Sequence, residues 1–156
     1  MSPDAEGLFP PAVQPIGTAV ISMQWLTALD IHARLRRIIR ALGLGYINPR
    51  RIRCVRVSGS RANALARIWG LPPIFQDALR LEPHYVIEFM VPAFDRLSRR
   101  EQDRVIIHEL LHIPRTFSGG IRPERSPSLS INNRTVERYY RQYLAAMRQR
   151  ASSRTH

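Results

Sequence analysis

An α+β fold is predicted by three features of the chain. An apolar run ending in His-Glu-x-x-His follows a helix-start signal. A strand-like run extends from His84 to Val91, and apolar residues recur at helical spacing near both ends. The 156 residues suffice for one hydrophobic core. An apolar content of 44% with 23% charged residues excludes wholesale disorder. One domain is expected over residues 23–150. Residues 1–22, with Pro3, Pro10, Pro11 and Pro15, two acids and no base, read as a disordered leader or an extension upstream of a start at Met23. Residues 151–156 read as a disordered tail.

The elements follow in order. Trp25 to Leu42 predicts an amphipathic helix: Leu26, Leu29, Ile31, Leu35, Ile38, Ile39 and Leu42 recur near helical spacing, and Gly43 and Gly45 end it. Arg53 to Val57 alternates loosely as a strand, with turn residues Ser58-Gly59-Ser60 behind it. Ala64 to Trp69 predicts a second strand, stopped by Gly70 and Pro72-Pro73. His84 to Val91, between Pro83 and Pro92, is the strongest strand signal. A helix starts at Ser98, where Glu101 three residues on completes a capping box, and it ends before Pro114. A last helix starts near Asn132 or Asn133 and runs to about Gln149, with Val136, Tyr140, Tyr143, Leu144 and Met147 on one face.

Charge and cysteine usage bound the function classes. All 24 basic residues are arginine, and the net charge is +12. That surplus attracts anionic partners, nucleic acid above all, although the arginines are spread from Arg34 to Arg154 rather than packed in one block. A single cysteine, Cys54, excludes an internal disulfide and a cysteine-rich zinc site, and fits a reducing compartment such as the cytoplasm. No apolar run reaches the ~18 residues of a membrane-spanning helix, so no membrane partner is expected.

The chemistry concentrates in Ile107-His108-Glu109-Leu110-Leu111-His112. On a helix, His108 and His112 lie ~40° apart and Glu109 falls ~60° beyond His112, so all three share one arc. Two imidazoles one turn apart can ligate one tetrahedral zinc. Glu109 is then aimed beside the metal, where it takes a proton from a zinc-bound water and later delivers it to a leaving amine. The pattern therefore predicts a zinc-dependent peptidase. A catalytic zinc takes three protein ligands, and three residues are candidates for the third: Glu124, Glu137 on the last helix, and His84 at a strand end. The plainer reading of Glu137 is an ion pair with Arg141, and that of His84 is a surface or packing residue.

From about Arg53 to Tyr143 the chain resembles a family of small metallopeptidases of archaea and phages. The likeness rests on Ala66-Arg67-Ile68-Trp69-Gly70-Leu71-Pro72, Tyr85-Val86-Ile87-Glu88, His108 through Pro114, and Thr116 through Pro123. It implies a zincin-like fold: a small twisted sheet with an N-terminal helix, an active-site helix beneath it and a C-terminal helix. In members of that family a histidine follows the Arg-Pro pair as the third ligand; here the position is Glu124. Glutamate is an acceptable zinc ligand, so the resemblance favours Glu124 over Glu137. Similar enzymes pair an extended substrate with an edge strand above the metal, and Tyr85 to Val91 is the strand expected here, although its apolar run equally suits a buried central strand.

Two function classes follow: a zinc peptidase acting on a peptide or protein, and a basic nucleic-acid-binding module with a structural or vestigial metal site. The Arg-rich surface allows both in one molecule, as a peptidase acting on DNA-bound proteins. A toxin or phage-processing factor with a narrow target is a third possibility.

Overall fold

β-Branched and aromatic residues concentrate where strands form. The computed structural model describes residues 22–155, and its elements are β1 (Gln24–Thr27), α1 (Leu29–Ala41), β2 (Ile52–Ser58), β3 (Ala66–Gly70), α2 (Pro73–Leu79), β4 (Tyr85–Met90), α3 (Ala93–Arg96), α4 (Arg99–Leu111) and α5 (Asn133–Ser153). The strands form one mixed sheet in the order β1-β2-β4-β3. β1 is antiparallel to β2, β2 is parallel to β4, and β3 is antiparallel to β4. The fold is thus α+β, as expected. No helix among the described residues is long and apolar enough to cross a membrane.

One face of the sheet makes the core. Ile52, Cys54, Ala66, Tyr85, Ile87 and Phe89 alternate onto that face and meet Ile31, Leu35 and Ile38 of α1 and Ile106, Ile107 and Leu110 of α4. Burying each large aliphatic or aromatic side chain contributes roughly 1.5–3 kcal/mol. α5 lies across α4 and α1, with Val136, Tyr140 and Tyr143 buried on the face its spacing predicts. Cys54 behaves as one more apolar residue: burial, helped by the charge of Asp30, pushes its thiol up to about 12.

α4 is defined at its start by side chains. The Ser98 hydroxyl accepts from the Glu101 backbone N–H, and the Glu101 carboxylate accepts from the Ser98 N–H. Arg34 then pins the first turns of α4 to α1. Its guanidinium donates to Asp103 Oδ1 at 2.5 Å, Gln102 Oε1 at 2.6 Å and the Arg99 carbonyl at 3.1 Å.

Three expectations are corrected. Trp25, Leu26 and Thr27 belong to strand β1 rather than to a helix from Trp25 to Leu42. Pairing with Val55–Val57 satisfies their backbone, and Ala28 offers no capping acceptor to mark a helix start. β4, expected as the substrate-binding edge, is central and pairs on both sides; the free edges are β1 and β3. α5 passes Gln149 to reach Ser153, taking in part of the expected tail. No Gly or Pro interrupts it, and the Ser153 hydroxyl donates to the Arg150 carbonyl. The expected leader lies outside the described residues, apart from Ser22.

Ser98→Ala is expected to lower stability by about 1 kcal/mol. Asp103→Ala is expected to cost about 3 kcal/mol or more, because it leaves the Arg34 charge buried without its partner. Urea midpoints at unchanged slope measure both. An Asp103→Ala loss no larger than that of Ser98→Ala would show that water takes the place of the carboxylate.

Candidate metal centre

The capped start of α4 sets the phase of the helix, and that phase carries His108, Glu109 and His112 to the side facing β3 and α5. Helical backbone stops at His112, and Pro114 turns the chain away. The departing chain comes back to the same residue. The Arg122 N–H donates to the His112 carbonyl at 2.6 Å, and the Arg122 carbonyl accepts from His112 Nδ1 at 2.6 Å. A carbonyl can only accept, so Nδ1 carries the proton and Nε2 keeps its lone pair. That lone pair faces the His108 Nε2, 3.3 Å away.

Glu124 is delivered by the loop between α4 and α5. Tyr85 anchors the loop: its hydroxyl accepts from the Gly119 N–H and donates to the Gly120 carbonyl, both at 2.9 Å. Phe117 stacks on the Tyr85 ring at 5.0 Å. Two glycines make the approach possible. A Cβ on Gly70 would lie 1.8 Å from the Gly119 carbonyl oxygen, and Gly119 has φ +91°. Beyond Pro123, the Ile131 N–H donates to the Glu124 carbonyl and Arg125 bridges to Ser130, a small hairpin that holds Glu124 in place. Glu124 Oε1 ends 3.8 Å from His108 Nε2, with its side chain 69% exposed. One donor atom from each of His108, His112 and Glu124 lies within 4.8 Å of the others, so this trio could hold a metal ion.

Glu109 stands beside the trio, 6% exposed. It lines a cavity of about 500 Å³ between β3, α4 and α5, walled by Leu65, Val105 and Val136. A second cavity of about 300 Å³ continues along β3 past Ile68 and Trp69 on the other side of the trio. Burial pushes the Glu109 carboxyl up to about 7, and the Glu124 carboxylate adds to the rise. Burial also lowers the basicity of His108, His112 lowers it further, and Glu124 opposes both. The ring is held toward its neutral form, the form that ligates a metal.

The other two candidates fall away from the cluster. Glu137 accepts from Arg104 Nε at 2.8 Å and lies 3.9 Å from Arg141. Its main partner is therefore on α4, not the i+4 arginine that spacing suggested. His84 Nδ1 bonds the Glu82 carbonyl at 2.6 Å, a local contact. Residue patterns did not reveal the Tyr85 hydroxyl or Gly70 as supports of the Glu124 loop. Gly70 did mark a strand end, but its contact partner is about fifty residues away and has no local signal.

A family model described as putative phage metallopeptidase matches residues 23–149. The chain belongs to this family. No curated protein and no solved structure matches the chain. Membership supports a metal-dependent hydrolase acting on peptide bonds, at the level of the family.

His108→Ala and Glu124→Ala are each expected to weaken zinc binding by more than about tenfold, measured by competition with a chromogenic chelator. Glu137→Ala should leave it unchanged. Loss of zinc in Glu137→Ala rather than Glu124→Ala would move the third ligand to α5. Gly70→Ala, which must displace the Gly119 backbone, should weaken binding by about tenfold through the loop alone.

Proposed function

We propose that this protein is a zinc-dependent peptidase with a zincin-like arrangement, in which His108, His112 and Glu124 hold the ion and Glu109 is the general base. The observation that carries the reading is the convergence of the three donor atoms within 4.8 Å beside a buried carboxylate that is not one of them. The donors suit zinc. The 3.3 Å between the two imidazole nitrogens equals the edge of a tetrahedron drawn with zinc–imidazole bonds of about 2.05 Å. Two histidines and one glutamate are a known catalytic shell that leaves a position open. When bound, zinc supplies Lewis-acid polarisation of a carbonyl and of water.

The residues of the chain do the rest. Glu109 accepts a proton from the attacking water and returns it to the leaving nitrogen. Its burial keeps bulk water away from that carboxylate. Arg122, through its backbone, holds the His112 ring in one orientation and one tautomer. β3 is the edge strand beside the cleft, and its unpaired backbone groups can extend the sheet by one strand of substrate. An extended peptide on β3 would run through both cavities, with side chains reaching the apolar wall at Leu65, Val105 and Val136 on one side of the trio. The substrate class is therefore a peptide or an unfolded protein segment. One buried cysteine fits a cytoplasmic setting.

The test separates metal holding from turnover. Glu109→Gln keeps the shape of the side chain and removes the base. It should retain about one zinc per chain and lose cleavage of a mixed peptide library by about 10²-fold or more, read by mass spectrometry. Equal loss of zinc and cleavage would make Glu109 a ligand or a structural residue and overturn its role as base.

A further inference from the structure

The sheet has a second face, opposite the core, that meets the metal centre only along β3, where Arg67 and Trp69 rim its second cavity. Register puts Trp25, Thr27, Arg53, Val55, Val57, Val86, Glu88, Met90, Arg67 and Trp69 on this face. At its middle sits Glu88, only 5% exposed. Trp25 Nε1 donates to Oε1 of Glu88 at 2.8 Å from one side, and Trp69 Nε1 donates to Oε2 at 2.7 Å from the other. The Arg67 guanidinium closes the third approach, with NH2 at 3.2 Å from Oε2. Burial opposes ionisation of this carboxylate, but the two indole donors and Arg67 outweigh it and hold it below the usual carboxylate range.

Both indoles remain about half exposed, Trp25 at 55% and Trp69 at 53%. A carboxylate with this many donors contributes little to stability that an apolar residue could not also supply. What it does provide is orientation. Each indole is tethered by its N–H, so its conformational entropy is already spent and its outer ring face stays presented to solvent. Arg67 lies 5.5 Å from the Trp69 ring centroid, and Arg53 is exposed on the same face.

We propose that this face is a binding platform for single-stranded nucleic acid, whose bases stack on Trp25 and Trp69 while Arg53 and Arg67 meet its phosphates. Base–aromatic stacking beside basic side chains is how sequence-tolerant single-strand binders work. The charge argues for the same occupant: the chain carries +12, and on this face the two arginines, Arg53 and Arg67, outnumber the one acid, Glu88. A second copy of the chain would bring another +12 to the contact. An acidic peptide would use the arginines but would leave the oriented ring faces without purpose. The platform shares Arg67 and Trp69 with the rim of the cavity along β3 but uses none of His108, Glu109, His112 and Glu124, so loss of zinc and loss of nucleic-acid binding are separate readouts.

The chain has two tryptophans, Trp25 and Trp69, so tryptophan emission reports on this face and, through Trp69, on the cavity it rims. An oligo(dT) of about 15 nucleotides should quench the fluorescence of the full-length protein, with an affinity that falls linearly with salt on logarithmic axes. Trp25→Ala and Trp69→Ala should each weaken binding about tenfold, measured by anisotropy of a labelled oligonucleotide. Arg53→Glu, an exposed change that leaves folding intact, should weaken it similarly, whereas Arg148→Gln on α5 should not. Binding without quenching, or binding equally tight in Arg53→Glu and in the double tryptophan variant, would assign it to the general surface charge and overturn the platform. So would free-protein tryptophans protected from acrylamide, because residues 1–21 or a second copy would then occupy the face.

Discussion

The rotation of α4 about its own axis is the constraint on which the rest of the molecule depends. Turned by one residue, the helix would carry His108 and His112 into positions that are buried here and move one of Ile106 and Ile107 to the half-buried side. The capping box at Ser98 and Glu101 fixes where the helix begins. The Arg34–Asp103 pair fixes how it sits against α1. The two contacts lie between about one and a half and three turns from His108, in the part of the helix that carries no chemistry. A rigid helix transmits that placement along its length, so stability contacts at one end aim the side chains at the other.

The second requirement is that a segment beyond the helix returns to it. Pro114 forces the chain off the axis, and close backbone contact between Gly70 and Gly119 lets the loop lie against the end of β3. The Tyr85 hydroxyl ties that loop to the central strand with a donated and an accepted hydrogen bond. The three donor atoms thus come from elements held by separate means, and the cleft opens beside a strand edge left unpaired. An unpaired edge is ordinarily an aggregation liability. Here it is short, and it borders the cavity beside His108, His112 and Glu124.

The two faces of the sheet divide the physics. One is closed by α1, α4 and α5 and supplies most of the buried apolar surface. The other has a buried, ionised glutamate at its centre and two indoles arranged about it. Fixing those rings costs desolvation of a carboxylate, which the indole donors and Arg67 offset.

The sequence alone determined the helix that carries His108, Glu109 and His112, its start and its stop, because capping, periodicity and proline sterics act within a few residues of one another. For the same reason it determined the apolar face of α5 and the existence of β2, β3 and β4. It also narrowed the third donor to three residues, of which Glu124 is the one that lies with His108 and His112. Only the tertiary structure decided that Trp25 to Thr27 is a strand, since a four-residue segment takes its conformation from the partner it pairs with. Likewise β4 is central and β3 is the edge, because strand order is set by how the faces pack and not by the apolar content of any one run. The Gly70–Gly119 approach, the Tyr85 anchor and the Glu88 cluster each join residues more than fifteen positions apart, and no local pattern encodes a contact over that distance.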